Sequence, residues 1–347
     1  MGTLKKVMVT GGLGYIGSQT ILELIRSGEY EPIAVDSCVR SNPETLGRLE
    51  AISGRKIRHY LTDICNKEKF FKIFEDEKDI AAIIHFAAFK SVPESMEIPL
   101  EYYRNNLGSL ENVLEACTKY SVKQLIFSSS CSIYGDVEKL PVDESTPVGT
   151  PFCPYAHTKQ IGEQMLRFYA GAHPETKYIA LRYFNPIGAD MSGKTGEEPK
   201  DAPNNLLPIM TQVASGQREC LSVFGTDYDT RDGSCIRDYI HVADIADAHV
   251  KALQYLETEP NAPVFDAINL GSGNGVSVLE MIEAFERITG VKLNVKMSGR
   301  RAGDVPAIYS NSTKAHTLLG WHCRHNLDDM ISSAWKWEQE RIIGNRK

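Results

Sequence analysis

The sequence predicts an α/β chain: a doubly wound parallel sheet with a smaller C-terminal α/β lobe. Three observations carry this expectation. Strand and helix signals alternate through the first half, the rhythm of strand–crossover–strand units. Two strand segments, AAIIHFAA (81–88) and QLIFSSS (124–130), are apolar on both faces, as parallel strands covered by helices are. After about residue 185 the pattern loosens into long Gly/Pro/Asn-rich loops, a common form for binding segments. The expected organisation is a Rossmann-type domain over 1–184 and a substrate-binding lobe over 185–347. Part of 236–256 is expected to pack back on the first domain.

Each element has a local reason. KKVMVTG (5–11) is a short apolar strand. YIGSQTILELIRSG (15–28) has helical periodicity and ends on Gly28. PIAVDS (32–37) reads as the second strand. Pro99 opens a helix over 99–120, the position where a missing N–H costs nothing. The stretches 188–205 and 226–235 are loops, and 237–256 reads as a strand running into a long helix.

Bulk properties narrow the function classes. A chain of 347 residues with 42% apolar and 24% charged residues has material for a sizeable core. The net charge of −7 comes with no basic block able to track a phosphate backbone, so no nucleic-acid partner is expected. No apolar run nears the roughly 18 residues that would span a bilayer, and MGTLKKVMVTGG is neither a secretory nor a myristoylation signal. Eight scattered cysteines form no C-x-x-C pair. They predict free thiols in a cytoplasmic protein and no bound metal.

The first strand runs directly into GGLGYIGS (11–18). Gly11, Gly14 and Gly17 give a tight turn, close backbone approach to a pyrophosphate and close helix–sheet packing. The helix behind them offers free N–H groups and a positive dipole end. Asp36 ends the second strand, 19 positions after Gly17. A carboxylate there accepts from both ribose hydroxyls and repels the extra phosphate of NADP, so the predicted cofactor is NAD. Asp63 and Ile64 follow the third strand and suit an adenine amino group and ring.

CPYAHTK (153–159) places Tyr155 four residues before Lys159. On a helix the two share a face, and an ammonium beside a phenol favours phenolate. That suits proton transfer, although the same spacing also arises by chance.

Taken in order, GGLGYIGS, HFAAFKSVPES, YYRNN, FSSSCSIYG, PYAHTK, LRYFNPIGA, PNNL, RDYIHVADIADAH and RRAGD closely resemble the UDP-sugar 4-epimerases of the extended short-chain dehydrogenase/reductase family. The likeness spans about residues 5–338. It implies Tyr155 as acid/base, Lys159 as its partner on the nicotinamide ribose, and Ser130 as the hydroxyl bridging substrate and tyrosine. It implies NAD contacts at Gly11, Gly14, Tyr15, Ile16, Gly17, Asp36, Asp63, Ile64, Phe86, Lys90, Asn105, Lys159 and Tyr183. It implies UDP-sugar contacts at Ser130, Ser132, Tyr155, Asn185, Asn204, Asn205, Leu206, Phe224, Asp304 and Ile308, with Arg237 and Arg301 on the diphosphate. The implied activity is reversible C4 epimerisation of UDP-galactose and UDP-glucose through a 4-keto sugar. Ile308 is the implied gate beside the sugar's C2 substituent.

Two rivals remain. A 4,6-dehydratase on the same fold needs a carboxylate just after the serine motif, where this chain reads Ser130-Cys131-Ser132. A non-catalytic NAD sensor commonly lacks the tyrosine or the lysine, and both are present. The resemblance also implies a homodimer built from the 100–118 helix and the Tyr155 helix. Leu107, Leu110, Val113 and Leu114 fit that seam or the monomer's own core.

Overall fold

The structure is a computed structural model describing residues 4–200, 203–301 and 303–344. Asp201 and Ala202 of the 188–205 loop, and Ala302 of RRAGD, lie outside the described residues. The strands are β1 (Lys5–Thr10), β2 (Tyr30–Asp36), β3 (Arg58–Leu61), β4 (Ile80–His85), β5 (Gln124–Ser130), β6 (Lys177–Tyr183), β7 (Asn185–Ile187), β8 (Leu221–Phe224), β9 (Ile236–His241), β10 (Phe265–Leu270), β11 (Gly275–Ser277), β12 (Val295–Ser298) and β13 (Ala307–Ile308). The helices are α1 (Tyr15–Ser27), α2 (Glu44–Ser53), α3 (Lys67–Glu77), α4 (Val92–Glu97), α5 (Pro99–Lys119), α6 (Pro154–Ala172), α7 (Leu206–Ala214), α8 (Val242–Thr258), α9 (Val278–Thr289), α10 (Thr313–Leu319) and α11 (Leu327–Gly344).

Seven parallel strands form the central sheet in the order β10-β6-β5-β4-β1-β2-β3. The order reverses between β1 and β4, which opens a crevice at the strands' carboxyl ends. Alternating strand residues feed two apolar layers. Val7 and Val9 face Ile21 and Leu24 of α1 and Ile245 and Leu253 of α8. Met8 faces the other way, toward Phe70 of α3, Leu110 of α5 and Leu166 of α6. Leu110, Val113 and Leu114 are therefore monomer core, and Leu107 is half-buried.

The chain beyond residue 185 contributes to both halves. It returns α8 to the face of α1 and adds β10 to the edge of the sheet. It also builds a separate cluster, β7-β9 with β11 and β13, beside the two-stranded β8-β12 ribbon. A third apolar core, including Leu207, Phe285 and Met330, holds this lobe together. Among the described residues, no helix is long and apolar enough to cross a membrane.

Candidate active site

The turn after β1 uses its glycines for different reasons. Gly11 has φ +69°, and a Cβ there would lie 2.8 Å from the Ala87 nitrogen. A Cβ on Gly17 would come within 2.2 Å of the Gly11 carbonyl oxygen, so that helix–turn approach excludes any side chain. Gly14 is different: its Cβ would meet only the Gly11 carbonyl oxygen, at 3.2 Å. Gly14 also caps α1 with no side-chain hydrogen bond. The opening turn of α1 thus carries N–H groups, a positive dipole end and open space.

Neighbouring residues frame this turn. Asp36 accepts from Leu13 N at 3.0 Å, Cys38 N at 2.9 Å and Ser41 Oγ at 2.8 Å, and remains part-exposed. The Tyr15 hydroxyl donates to the Gly188 carbonyl at 2.6 Å. Ile16 packs on the α1 side of the core, as does Phe86, whose ring lies 4.7 Å from that of His249. Asp63 is exposed and caps Cys65 N at 2.9 Å, while the Ile64 side chain is drawn into the core. The Asn105 amide donates to the Asn106 side chain at 2.9 Å. Lys90 pairs with Glu197 at 2.9 Å, and Asn205 donates to the same carboxylate at 2.8 Å.

At the next carboxyl ends stand Ser130, closing β5, and Tyr183, closing β6. The Tyr183 hydroxyl is 2.6 Å from His249 Nε2. Ser130 Oγ accepts from Ser132 N at 3.2 Å and starts a short 3-10 turn over Cys131–Tyr134. Ser132 Oγ is buried without a hydrogen-bond partner. A buried hydroxyl left orphaned carries a desolvation cost that a polar ligand relieves.

Tyr155 and Lys159 lie one turn apart near the start of α6, but they do not behave as the spacing suggests. Lys159 Nζ donates to the Ser128 carbonyl at 2.6 Å and sits 5.9 Å from the Tyr155 ring centroid. Burial pushes the Tyr155 phenol up to about 12, against the pull of the Ser130 hydroxyl. Burial draws Lys159 down to about 8, opposed by Glu163. Without bound cofactor the protein environment therefore keeps the phenol protonated. Desolvation outweighs the ammonium, which points at a backbone carbonyl.

The second lobe supplies charge. Arg301 grips Asp304 with two bonds, at 3.0 and 2.8 Å, and Arg237 approaches the same carboxylate at 3.5 Å. Two guanidiniums on one carboxylate leave a net positive clamp. Arg237 also donates to the Val305 carbonyl at 2.8 Å. Its cross-strand neighbour is Ile308, which is buried in one cluster with Ile133, Tyr134 and Phe184. That cluster joins the clamp to the 3-10 turn after Ser130. Phe224 is 39% exposed beneath Arg301. Leu206 opens α7 against the lobe's core, Asn204 donates to Ser91 Oγ at 3.3 Å, and Asn185 starts β7 opposite Tyr239.

Two buried residues that brace the site's surroundings escaped the sequence reading. Asn106 clamps Phe89 through both N and O and reaches Thr158 Oγ1 at 3.1 Å. Asp238, fully buried, binds Ser272, Gly273 and Ser310. The second asparagine of YYRNN was a usable signal for Asn106. Asp238 gave none, because its partners lie 34 to 72 residues away.

A parallel sheet with a glycine turn at its switch point, and a Ser/Tyr/Lys set across the crevice, defines a dinucleotide-dependent enzyme of short-chain dehydrogenase/reductase architecture. The chain belongs to the NAD dependent epimerase/dehydratase family, whose model matches residues 7–271. It is 44% identical to the UDP-glucose 4-epimerase of Bacillus subtilis (strain 168), over 97% of this chain and 98% of that one. Its fold is similar to the Bifidobacterium longum UDP-glucose 4-epimerase solved with NAD+ and UDP, with TM-score 0.93, 40% identity and coverage of 98% and 100%. It is also similar to the Campylobacter jejuni UDP-Glc/GlcNAc 4-epimerase, with TM-score 0.83, 36% identity and coverage of 97% and 99%.

Proposed function

We propose that the protein is an NAD-dependent UDP-sugar 4-epimerase interconverting UDP-galactose and UDP-glucose. The observation that carries this is the continuity from Ser130, through the Ile133–Tyr134–Ile308 cluster, to the Arg237–Asp304–Arg301 clamp. It links a proton-transfer group to a positively charged site. The uncapped α1 terminus, the open face of Gly14 and the part-exposed Asp36 fit NAD. NAD, when bound, would supply the hydride acceptor and a positive charge that favours phenolate.

The chain's own residues do the rest. Arg237 and Arg301 hold the diphosphate with charge-assisted hydrogen bonds. Ser130 and Ser132 orient the sugar's 4-hydroxyl. Tyr155 takes its proton and later returns one to the 4-oxygen of the opposite epimer, so the 4-keto sugar is formed and consumed within the cycle and there is no net redox change. The site residues from Asn185 onward, except those on α8, β10 and α10, form the substrate side. No carboxylate stands in the Cys131–Tyr134 turn, which disfavours the dehydratase reading.

Incubation with UDP-galactose should yield UDP-glucose as the only new sugar nucleotide. Because each cycle restores NAD, the purified protein should retain it. Denaturing extraction and chromatography should give NAD with some NADH, and a predominance of NADP would sink the role of Asp36. We further propose a cytoplasmic homodimer that pairs through the outer face of α5 and α6, where Leu100 and Phe168 are 63% and 80% exposed. Light scattering at twice the 38.6 kDa chain mass checks the dimer.

Ile308 sets sugar breadth. It is branched and stiff at Cβ, smaller than tyrosine, and buried in its cluster. UDP-N-acetyl sugars should be weak substrates. Ile308→Ala should raise kcat/KM on UDP-N-acetylgalactosamine by about tenfold, the scale of a few methylenes in a pocket, with little change on UDP-galactose. Ile308→Tyr should abolish the N-acetyl activity. A constant ratio of the two sugars across the three proteins would place the gate elsewhere.

A further inference from the structure

The catalytic constellation rests on a buried ion pair that the mechanism above does not use. Glu163 lies one helical turn beyond Lys159 on α6, and Arg182 stands next to Tyr183 on β6. Arg182 donates to Glu163 Oε1 at 2.9 Å and Oε2 at 2.7 Å, and both residues are fully inside the protein. The other oxygen partner of Glu163 is the Ser129 hydroxyl, adjacent to Ser130. Arg182 also donates to the Tyr134 hydroxyl at 2.9 Å, two residues beyond Ser132, and Tyr134 passes the bond to Asn269 on β10 at 2.7 Å.

The pattern is specific. Each member sits within one turn of a residue assigned to the site: Ser129 beside Ser130, Tyr134 beside Ser132, Glu163 beside Lys159, Arg182 beside Tyr183. A buried pair of this kind adds little stability over an apolar pair of the same volume, so fold stability is a poor reason for it. We propose that Glu163 and Arg182 are positioning residues for the epimerase site: they lock β5, β6, α6 and the 3-10 turn in register, and Glu163 supplies the negative charge that faces the Lys159 ammonium. The inference rests on the functional reading above.

The groups facing Lys159 make the charge consequential. They are Glu163 and Tyr155 on its own helix, His85 at the end of β4, the Ser128 carbonyl on β5 and the Phe127 ring. Burial holds His85 neutral, down to about 3, so it supplies no charge at working pH. Glu163 is then the group that offsets the desolvation of Lys159. Without it the lysine loses its proton at lower pH.

The test uses the purified enzyme with its retained cofactor. Glu163→Gln should lower kcat by about tenfold or more, as misplacing a catalytic set does, with the UDP-galactose KM within about threefold. The alkaline limb of the kcat profile should move down by about one pH unit, the scale of one nearby opposite charge. Glu163→Gln leaves Arg182 unpaired, so the double variant Glu163→Gln/Arg182→Met is made alongside to keep the interior neutral. Lysine labelled at 13Cε reads the Lys159 titration directly by NMR, assigned by its loss in Lys159→Arg. Glu163→Gln should titrate Lys159 at lower pH than the parent, and the double variant, which loses a positive charge along with the negative one, should move it less. An unmoved Lys159 titration and alkaline limb in folded Glu163→Gln would overturn the proposal, whatever its kcat. A parent protein that does not interconvert the two sugars would instead overturn the functional reading, and the NMR titration would still decide the charge coupling.

Discussion

Tyr155→Phe should cut epimerase turnover by at least about a hundredfold, the usual loss when a positioned acid/base group is removed. The ring stays, so the packing at the start of α6 stays with it, and the hydroxyl alone is lost. The surroundings set the expected pH behaviour. Without cofactor, burial holds the phenol near 12 and protonated, a poor base at neutral pH. Lys159 is buried and already lowered to about 8. Turnover in the parent enzyme should therefore fall as pH rises through the Lys159 transition, since the lysine loses its charge from that point upward. The Phe variant should keep its NAD content, because the α1 terminus, the glycine turn and Asp36 proposed to hold it are untouched. Stopped-time assays of UDP-galactose conversion, with cofactor quantified on the same sample, check both halves. Turnover within about tenfold of the parent would remove Tyr155 from the proton path.

The fold was legible where its signals are local. The strand–turn–helix at Gly11, Gly14 and Gly17, the carboxylate at the end of β2 and the Tyr-x-x-x-Lys spacing each lie within one element or one junction, and the structure holds them where the pattern says. Long-range pairing was harder. Nothing near Phe265–Leu270 announces a seventh strand, because parallel partners are chosen across a crossover and not by a neighbouring turn. Glu163 sits in GEQMLRFY, where nothing in the local sequence marks it as buried. It is buried only because Arg182, on a strand covered on both sides, meets it 19 residues on. The Tyr155–Lys159 pair gives the sharpest lesson. Spacing placed the two residues on one face, but it did not say where Nζ would point. The Ser128 carbonyl, from another element, decided that.

Arg237→Met should raise the KM for UDP-galactose by roughly tenfold to a hundredfold, because a hydrogen bond to a charged group contributes about 1.5–3 kcal/mol and each tenfold in affinity corresponds to about 1.4 kcal/mol. The two arginines of the clamp are not equivalent. The Arg237 side chain is 16% exposed and that of Arg301 47%, so water screens Arg301 more. Arg301→Met should therefore cost less. On the proposed reading both hold the diphosphate equally in ground state and transition state, since the reacting carbon lies at the sugar. That is uniform binding, which moves KM and leaves kcat near the parent value. Inhibition by UDP alone should weaken by the same factor, because UDP carries the whole diphosphate and none of the chemistry. Asp304 gives the opposite sign. It occupies both guanidiniums, and Asp304→Asn would free them, so UDP should bind the Asn variant at least as tightly as the parent. Calorimetric titration of UDP into the three variants reads these orders directly. Unchanged UDP affinity in Arg237→Met, with its fold intact by circular dichroism, would move the diphosphate site away from β9.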